Sequence, residues 1–280
     1  LAISVACAQP ALSPIQTDHL HNVWQLSERL FSDSEPEDEA AMAELVKLGI
    51  KAIVSVDGIS PNTDLAKKFG LRYIHIPIGY DGVTRQAGQM LARVAREIPG
   101  KIYIHCHHGK HRGPAAAAII CRADDGRSGL AARAILEKAG TGSEYPGLWR
   151  DVECFETPPR TAQLPALVER AEVESLATAM AKLDRIFDLI KLSASNRWQS
   201  VPGHPDISVQ HESIQLKELF AEAARASDPG DVRTRLESNA SLTQELADTL
   251  RSSRPETAKA DALLSQLGAN CNSCHQQHRN

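Results

Sequence analysis

One short loop at a strand-to-helix junction constrains this chain more than any other feature. The apolar run Lys101-Ile-Tyr-Ile-His105 leads into Cys106-His-His-Gly-Lys-His-Arg112-Gly113, and an alanine-rich stretch, Pro114–Cys121, follows. A buried strand that turns at once into a helix can point several backbone N–H groups inward around an anion, and the helix adds its positive end. Arg112 supplies a planar fork that matches two phosphate oxygens. Cys106 stands where that positive field favours the thiolate, the nucleophilic form of the side chain. His107, His108, Gly109, Lys110, His111 and Gly113 complete the candidate cradle. The pattern points to phosphoryl transfer through Cys106 and Arg112. Two other readings of the same residues stay open. One is a metal cluster of Cys106 with His105, His107, His108 and His111, which gives Gly109 and Arg112 no task. The other is an inactive phosphate-binding loop.

The surrounding pattern predicts an α/β domain over residues 20–156. Glu39–Leu48 has helical spacing and ends at Gly49, and Lys51–Val56 reads as a buried strand. Asn62–Phe69 is a short helix, Arg72–Pro77 a strand and Thr84–Ile98 a helix that stops at Pro99-Gly100. Beyond the loop, Pro114–Cys121 and Leu130–Ala139 are helical. Alternating strands and helices imply a central, mostly parallel sheet flanked by helices. The proline-rich segment 157–165 reads as a linker. Past it no strand-like run survives: Ala166–Leu192, Ser208–Ala226, Asp231–Arg251 and Pro255–Arg279 predict an all-α four-helix bundle over 166–280.

A second chemistry lies in the last of these helices. Cys271-Asn-Ser-Cys274-His275 places two thiols and an imidazole at i, i+3 and i+4, on neighbouring helical faces. Cys-x-x-Cys-His is the attachment pattern of a c-type haem: thioethers at Cys271 and Cys274, iron at His275. Zinc and a redox dithiol are the alternatives, but no second Cys/His pair or βαβ unit accompanies the motif.

The length of 280 residues has room for two domains. A net charge of −4 and few aromatic residues, with no basic stripe, argue against nucleic acid as a partner. No run approaches the ~20 apolar residues of a membrane span. Residues 1–19 read as the remnant of a secretory signal, with Ala6-Cys7-Ala8 as a small-x-small site and Cys7 as an alternative point of lipid anchoring. Covalent haem attachment takes place outside the cytoplasm, so both features predict a periplasmic or otherwise exported protein. Of the remaining cysteines, Cys121 reads as a small buried hydrophobe, and a Cys121–Cys154 disulfide is an open option.

His105-Cys106-x5-Arg112 resembles the signature of protein tyrosine and dual-specificity phosphatases, and Gly109-Lys110-His111-Arg112 is most similar to their atypical members. Over about residues 20–156 the resemblance implies a phosphocysteine intermediate on Cys106, loop orientation by His105 and a general acid on an upstream loop. Asp81, in Pro77-Ile-Gly-Tyr-Asp81-Gly82, matches that position, with Asp57 as the alternative. It also implies a phosphate-ester substrate and no metal at this site. Gly113 departs from the pattern, where Ser or Thr usually stands and helps release phosphate, so slow turnover is expected. The carboxy-terminal part is similar to cytochrome c′ and its relatives. This implies one covalent haem c with His275 as proximal ligand, Met180 as the candidate distal ligand, Leu176 as a candidate distal blocker and Arg279 in the haem pocket. A gas ligand such as NO or CO, or a redox partner, follows from that likeness, as does a homodimer through the bundle.

Overall fold

The computed structural model describes residues 12–20, 23–252 and 255–278. Cys7 and Arg279 therefore lie outside the described residues. The chain divides into two compact units, residues 1–173 and 174–280. Among the described residues no helix is long and apolar enough to cross a membrane.

The first unit is built on one mixed sheet of order β1-β2-β3-β6-β4-β5. The strands are β1 (Ser13–Pro14), β2 (Trp24–Gln25), β3 (Leu30–Asp33), β4 (Ile50–Ser55), β5 (Arg72–His75) and β6 (Lys101–His105). The four strands β3-β6-β4-β5 run parallel, and β1 and β2 extend the edge as an antiparallel meander. The meander is not legible in the sequence, because strands of two residues carry no periodicity to read.

Phe31, Tyr103, Ile53 and Tyr73 stand side by side in register and share one core with Met42 and Leu45 of α1 (Glu39–Lys47) and Leu65 of α2 (Thr63–Lys68). The alternate residues point to the other face, where α4 (Arg112–Asp125) packs on β3 and β6. Around α4 lie α3 (Arg85–Glu97), α5 (Gly129–Ala139) and α6 (Pro146–Cys154). Asp38, Asn62, Thr84 and Ser128 each accept a backbone N–H at the start of their helix, which explains where α1, α2, α3 and α5 begin. Cys121 is buried, and burial pushes its thiol up to about 12. Cys121 and Cys154 are both free thiols, so the optional disulfide between them is not formed.

The segment after α6 corrects the expected linker and the expected start of the next helix. Residues 157–173 belong to the first unit. Arg93 donates to the carbonyls of Leu164 and Pro165, and Arg96 to those of Pro158 and Pro159. The prolines cannot donate a backbone N–H, but their carbonyls accept, and arginine forks meet them. Beyond them the chain passes along the β5 edge, where His75 N–H donates to Val168 O at 2.9 Å. The helix predicted from Ala166 therefore begins only at Leu176, behind Ser175, whose hydroxyl caps Thr178 N–H.

The second unit holds α7 (Leu176–Ser195), α8 (Val209–Ala226), α9 (Asp231–Arg251) and α10 (Thr257–His278). All four contribute to one apolar core: Leu183 and Ile190 from α7, Leu216 and Phe220 from α8, Leu236 and Leu246 from α9, Leu263 and Leu267 from α10. Consecutive helices pack closely, α7 on α8, α8 on α9 and α9 on α10.

Candidate active site and haem motif

Parallel strands expose their carboxyl ends on one edge of the sheet, which is where open α/β sheets bind ligands. Cys106 follows the central strand β6 and is buried, at 3% exposure. Gly109 turns the loop in the left-handed region, φ 67°, a conformation that costs other residues about 1–2 kcal/mol. A side chain there would also press to 2.5 Å on the Asp33 carbonyl carbon and 2.6 Å on Ser34 N. The loop is thus laid directly on the end of β3. No side chain caps the start of α4, and its first turn abuts Cys106: a Cβ on Gly113 would lie 3.3 Å from Cys106 N and 3.5 Å from Sγ. The positive helix end therefore faces the sulfur.

Arg112 is fully buried. Its Nη2 donates to Asp57 Oδ2 at 3.1 Å and to the Tyr80 hydroxyl at 3.0 Å, while Nη1 donates to Ile78 O at 3.2 Å. The guanidinium also lies over the Tyr80 ring, 4.0 Å from its centroid. A buried cation needs this much compensation, and the contacts fix the plane of the fork beside the loop. Asp57, just beyond the end of β4, is therefore committed to holding Arg112, a role that its place in the sequence does not reveal. Asp81 is exposed, one residue beyond Tyr80, on the segment that supplies two of these contacts. Asp151 of α6 pins that segment by accepting Val83 N–H at 2.7 Å.

His105 is buried between Tyr73 and the loop: Nε2 meets the Tyr73 hydroxyl at 2.7 Å and Nδ1 the Cys106 carbonyl at 3.1 Å. Burial lowers its proton affinity. With both ring nitrogens engaged this way, His105 is not placed as a metal ligand. Among the described residues no three His, Cys, Asp or Glu side chains converge to hold a metal ion. The rings of His107 and His108 lie against each other, tilted by 47° with centroids 4.1 Å apart. With Lys110 and His111 they face Glu35, Glu37 and Asp38 across an open groove of about 730 Å³.

Asp33 escapes sequence reading. It ends β3 opposite His105 in register, is fully buried, and accepts the Tyr103 hydroxyl at 3.2 Å. Burial, partly offset by hydrogen bonds, pushes it up to about 7. No motif marks it; only the strand order brings it behind the loop.

On α10, Cys271 and Cys274 are half-buried free thiols, the form that thioether attachment consumes, and His275 is exposed. Cys271 packs against the apolar core, and burial raises its thiol. Phe187 of α7 faces Gly268, one turn before Cys271. Met180, two turns earlier on α7, is half-buried against the same core, whereas Leu176 is 44% exposed. Two half-buried cysteines, an accessible imidazole and apolar α7 side chains in the same core as Cys271 suit a macrocycle attached to α10.

No family model and no curated protein matches this chain. Among solved structures, P. aeruginosa TpbA is similar at 19% identity and a TM-score of 0.44, covering 52% of this chain and 92% of its own. A cysteine-to-serine variant of TpbA in complex with pTyr gives 20% identity, a TM-score of 0.43, and coverage of 52% and 91%. A Shewanella putrefaciens CN-32 protein described as a candidate phosphatase (DUF442) is similar at 16% identity and a TM-score of 0.40, covering 48% of this chain and 87% of its own.

Proposed function

We propose that the first unit hydrolyses phosphate monoesters through Cys106, and that the second carries one covalently attached haem c. The observation that carries the first half is Arg112, a fully buried guanidinium held by Asp57, Tyr80 and Ile78, at the start of the helix whose first turn abuts the buried Cys106. A fixed cation of this kind beside a helix N-terminus stabilises charge that develops on phosphoryl oxygens.

The ester's phosphate seats between the loop N–H groups and Arg112. Cys106 sulfur attacks phosphorus, the P–O ester bond breaks, and the leaving oxygen takes a proton from Asp81. Water then attacks the phosphocysteine, Asp81 accepts its proton, the S–P bond breaks and inorganic phosphate leaves. The steps need no metal. His105 holds the loop through its bond to the Cys106 carbonyl. Gly113 offers no hydroxyl for the second step, so phosphocysteine accumulates. The groove between Glu35, Glu37, Asp38 and the histidines takes the body of the ester.

In the second unit Cys271 and Cys274 would hold the haem and His275 its iron, with Met180 the candidate for a second ligand. When bound, the group supplies a redox-active centre able to take a gas such as NO or CO. The four helices form the bundle that carries it and that pairs two chains. Attachment of the haem would take place outside the cytoplasm. The absence of a hydroxyl at position 113 favours one second reading, a haem protein whose first unit binds phosphate without turning it over.

Aryl phosphate hydrolysis, with Cys106→Ser as control, tests the first half. A phosphocysteine adduct in intact-mass spectra is expected in wild type and absent in Cys106→Ser. Phosphate binding without hydrolysis or adduct would leave the second reading. For the haem, a covalent pyridine haemochrome spectrum is expected in wild type and lost in the Cys271→Ala, Cys274→Ala double variant.

A further inference from the structure

His75 closes β5, is fully buried, and carries three hydrogen bonds in two directions. Toward the loop, its Nε2 meets the main-chain carbonyl of Asp57 at 2.9 Å. Toward the segment 166–173, its own N–H reaches Val168 O at 2.9 Å and its Nδ1 meets Ala171 N at 3.2 Å. The chemistry of these partners decides the tautomer. A backbone N–H only donates, so Nδ1 accepts and is unprotonated. A carbonyl only accepts, so Nε2 carries the proton. The ring is thus a neutral relay with one proton, placed by two partners on opposite sides. Burial, which lowers its proton affinity, maintains that neutral state.

The residue at the far end of the relay is Asp57, whose carboxylate holds Arg112. The chain leaving β5 continues through Ile78 and Tyr80, the other two partners of the guanidinium. The segment 166–173 is fastened again by Arg170 to Thr63 Oγ1 at 2.9 Å, while the solvent-exposed Lys67–Glu169 pair, screened by water, adds little to its hold. Within a few residues it passes into Leu176 and the helices of the second unit.

We propose that His75 is a positioning residue that couples the strap 166–173 to Arg112, so that the strap's grip on the imidazole sets the placement of the phosphate-gripping fork. This rests on the proposed phosphatase reading for its catalytic consequence, but not for its geometry. Anything that loosens the strap at its junction with α7 would then weaken phosphate binding in the first unit.

The test uses the full chain. In wild type, imidazole ¹⁵N shifts, assigned by difference from His75→Gln, should show Nε2–H with Nδ1 bare. Ala171→Pro removes the strap's N–H and touches no catalytic group. Loss of one hydrogen bond of about ordinary strength predicts roughly fivefold weaker binding of inorganic phosphate and a roughly fivefold higher KM for aryl phosphate, with kcat little changed. Glu169→Gln, which removes only the exposed ion pair, should leave both at wild-type values. An Nδ1–H tautomer overturns the proposal, and so does Ala171→Pro that binds phosphate as wild type does. The tautomer is read on wild type, so it decides even where the proline variant fails to fold. If no aryl phosphate is hydrolysed but Ala171→Pro still weakens phosphate binding, the coupling stands and the phosphatase reading falls.

Discussion

Replacing Asp33 with asparagine should stabilise the protein, and by an amount that depends on pH in a defined direction. Asp33 is fully buried, Oδ2 lies 3.2 Å from the Tyr103 hydroxyl, whose one proton it shares with the nearer Ser34 carbonyl at 2.8 Å, Ser34 also bonds to the carboxyl, and Oδ1 has no hydrogen-bond partner. Burial is the main cause of its rise from 3.8 to about 7. A raised carboxyl means the folded protein holds a proton that the unfolded chain releases between those two values. Stability attributable to this group is therefore fully present below about 4, falls as pH rises and levels off above about 7. At 1.36 kcal/mol per pH unit, moving a carboxyl from 3.8 to about 7 costs ~4 kcal/mol once it is ionised in both states. The asparagine in Asp33→Asn would keep the shape and an acceptor for Tyr103 but could not ionise. Its amide N–H₂ would take the place of the protonated carboxyl's hydroxyl, so the two neutral forms are comparable. The variant should match wild type near pH 4, gain steadily, and lead by ~4 kcal/mol at pH 8. Urea unfolding of both proteins at about pH 4.5, 6 and 8 measures this. His75 and His105, whose affinities for protons burial lowers, destabilise both proteins alike as pH falls below about 6.5, so they cancel in the difference. A difference that stays flat across that range, or a wild type that is the more stable at the alkaline end, would show that Asp33 is not held protonated by burial.

Gly109→Ala should cost at least about 1–2 kcal/mol for its φ of 67°, plus the clash with Asp33 and Ser34, and phosphate binding should fall with it; thermal melts and calorimetry check this. Gly113→Ser puts a Cβ 3.5 Å from Sγ and a hydroxyl beside the phosphocysteine, so the adduct should decay faster and steady-state turnover should rise in a stopped-flow assay. Arg112→Ala leaves the Asp57 carboxylate buried without its cation, which predicts about 3–5 kcal/mol of destabilisation in denaturant together with loss of phosphate affinity.

Features that depend on neighbours along the chain can be read from the residues alone. The loop from Cys106 to Arg112 is legible because a nucleophile, a glycine turn and a guanidinium must follow one another to wrap one anion. Cys271, Cys274 and His275 are legible because helical pitch alone sets them side by side. Most helices and the three long parallel strands show in periodicity and in their caps. The rest arises from how the elements assemble. Asp57 meets Arg112, Asp33 lies behind Gly109, and Ala171 reaches His75 across 96 residues only because the sheet runs β3-β6-β4-β5. The segment 157–173 is likewise held by arginines of α3 and by the edge of β5, where its own composition reads as a free linker and then a helix. Periodicity records which face of an element is buried. It carries no trace of which element lies against that face, and the partners of Arg112 and His75 are set there.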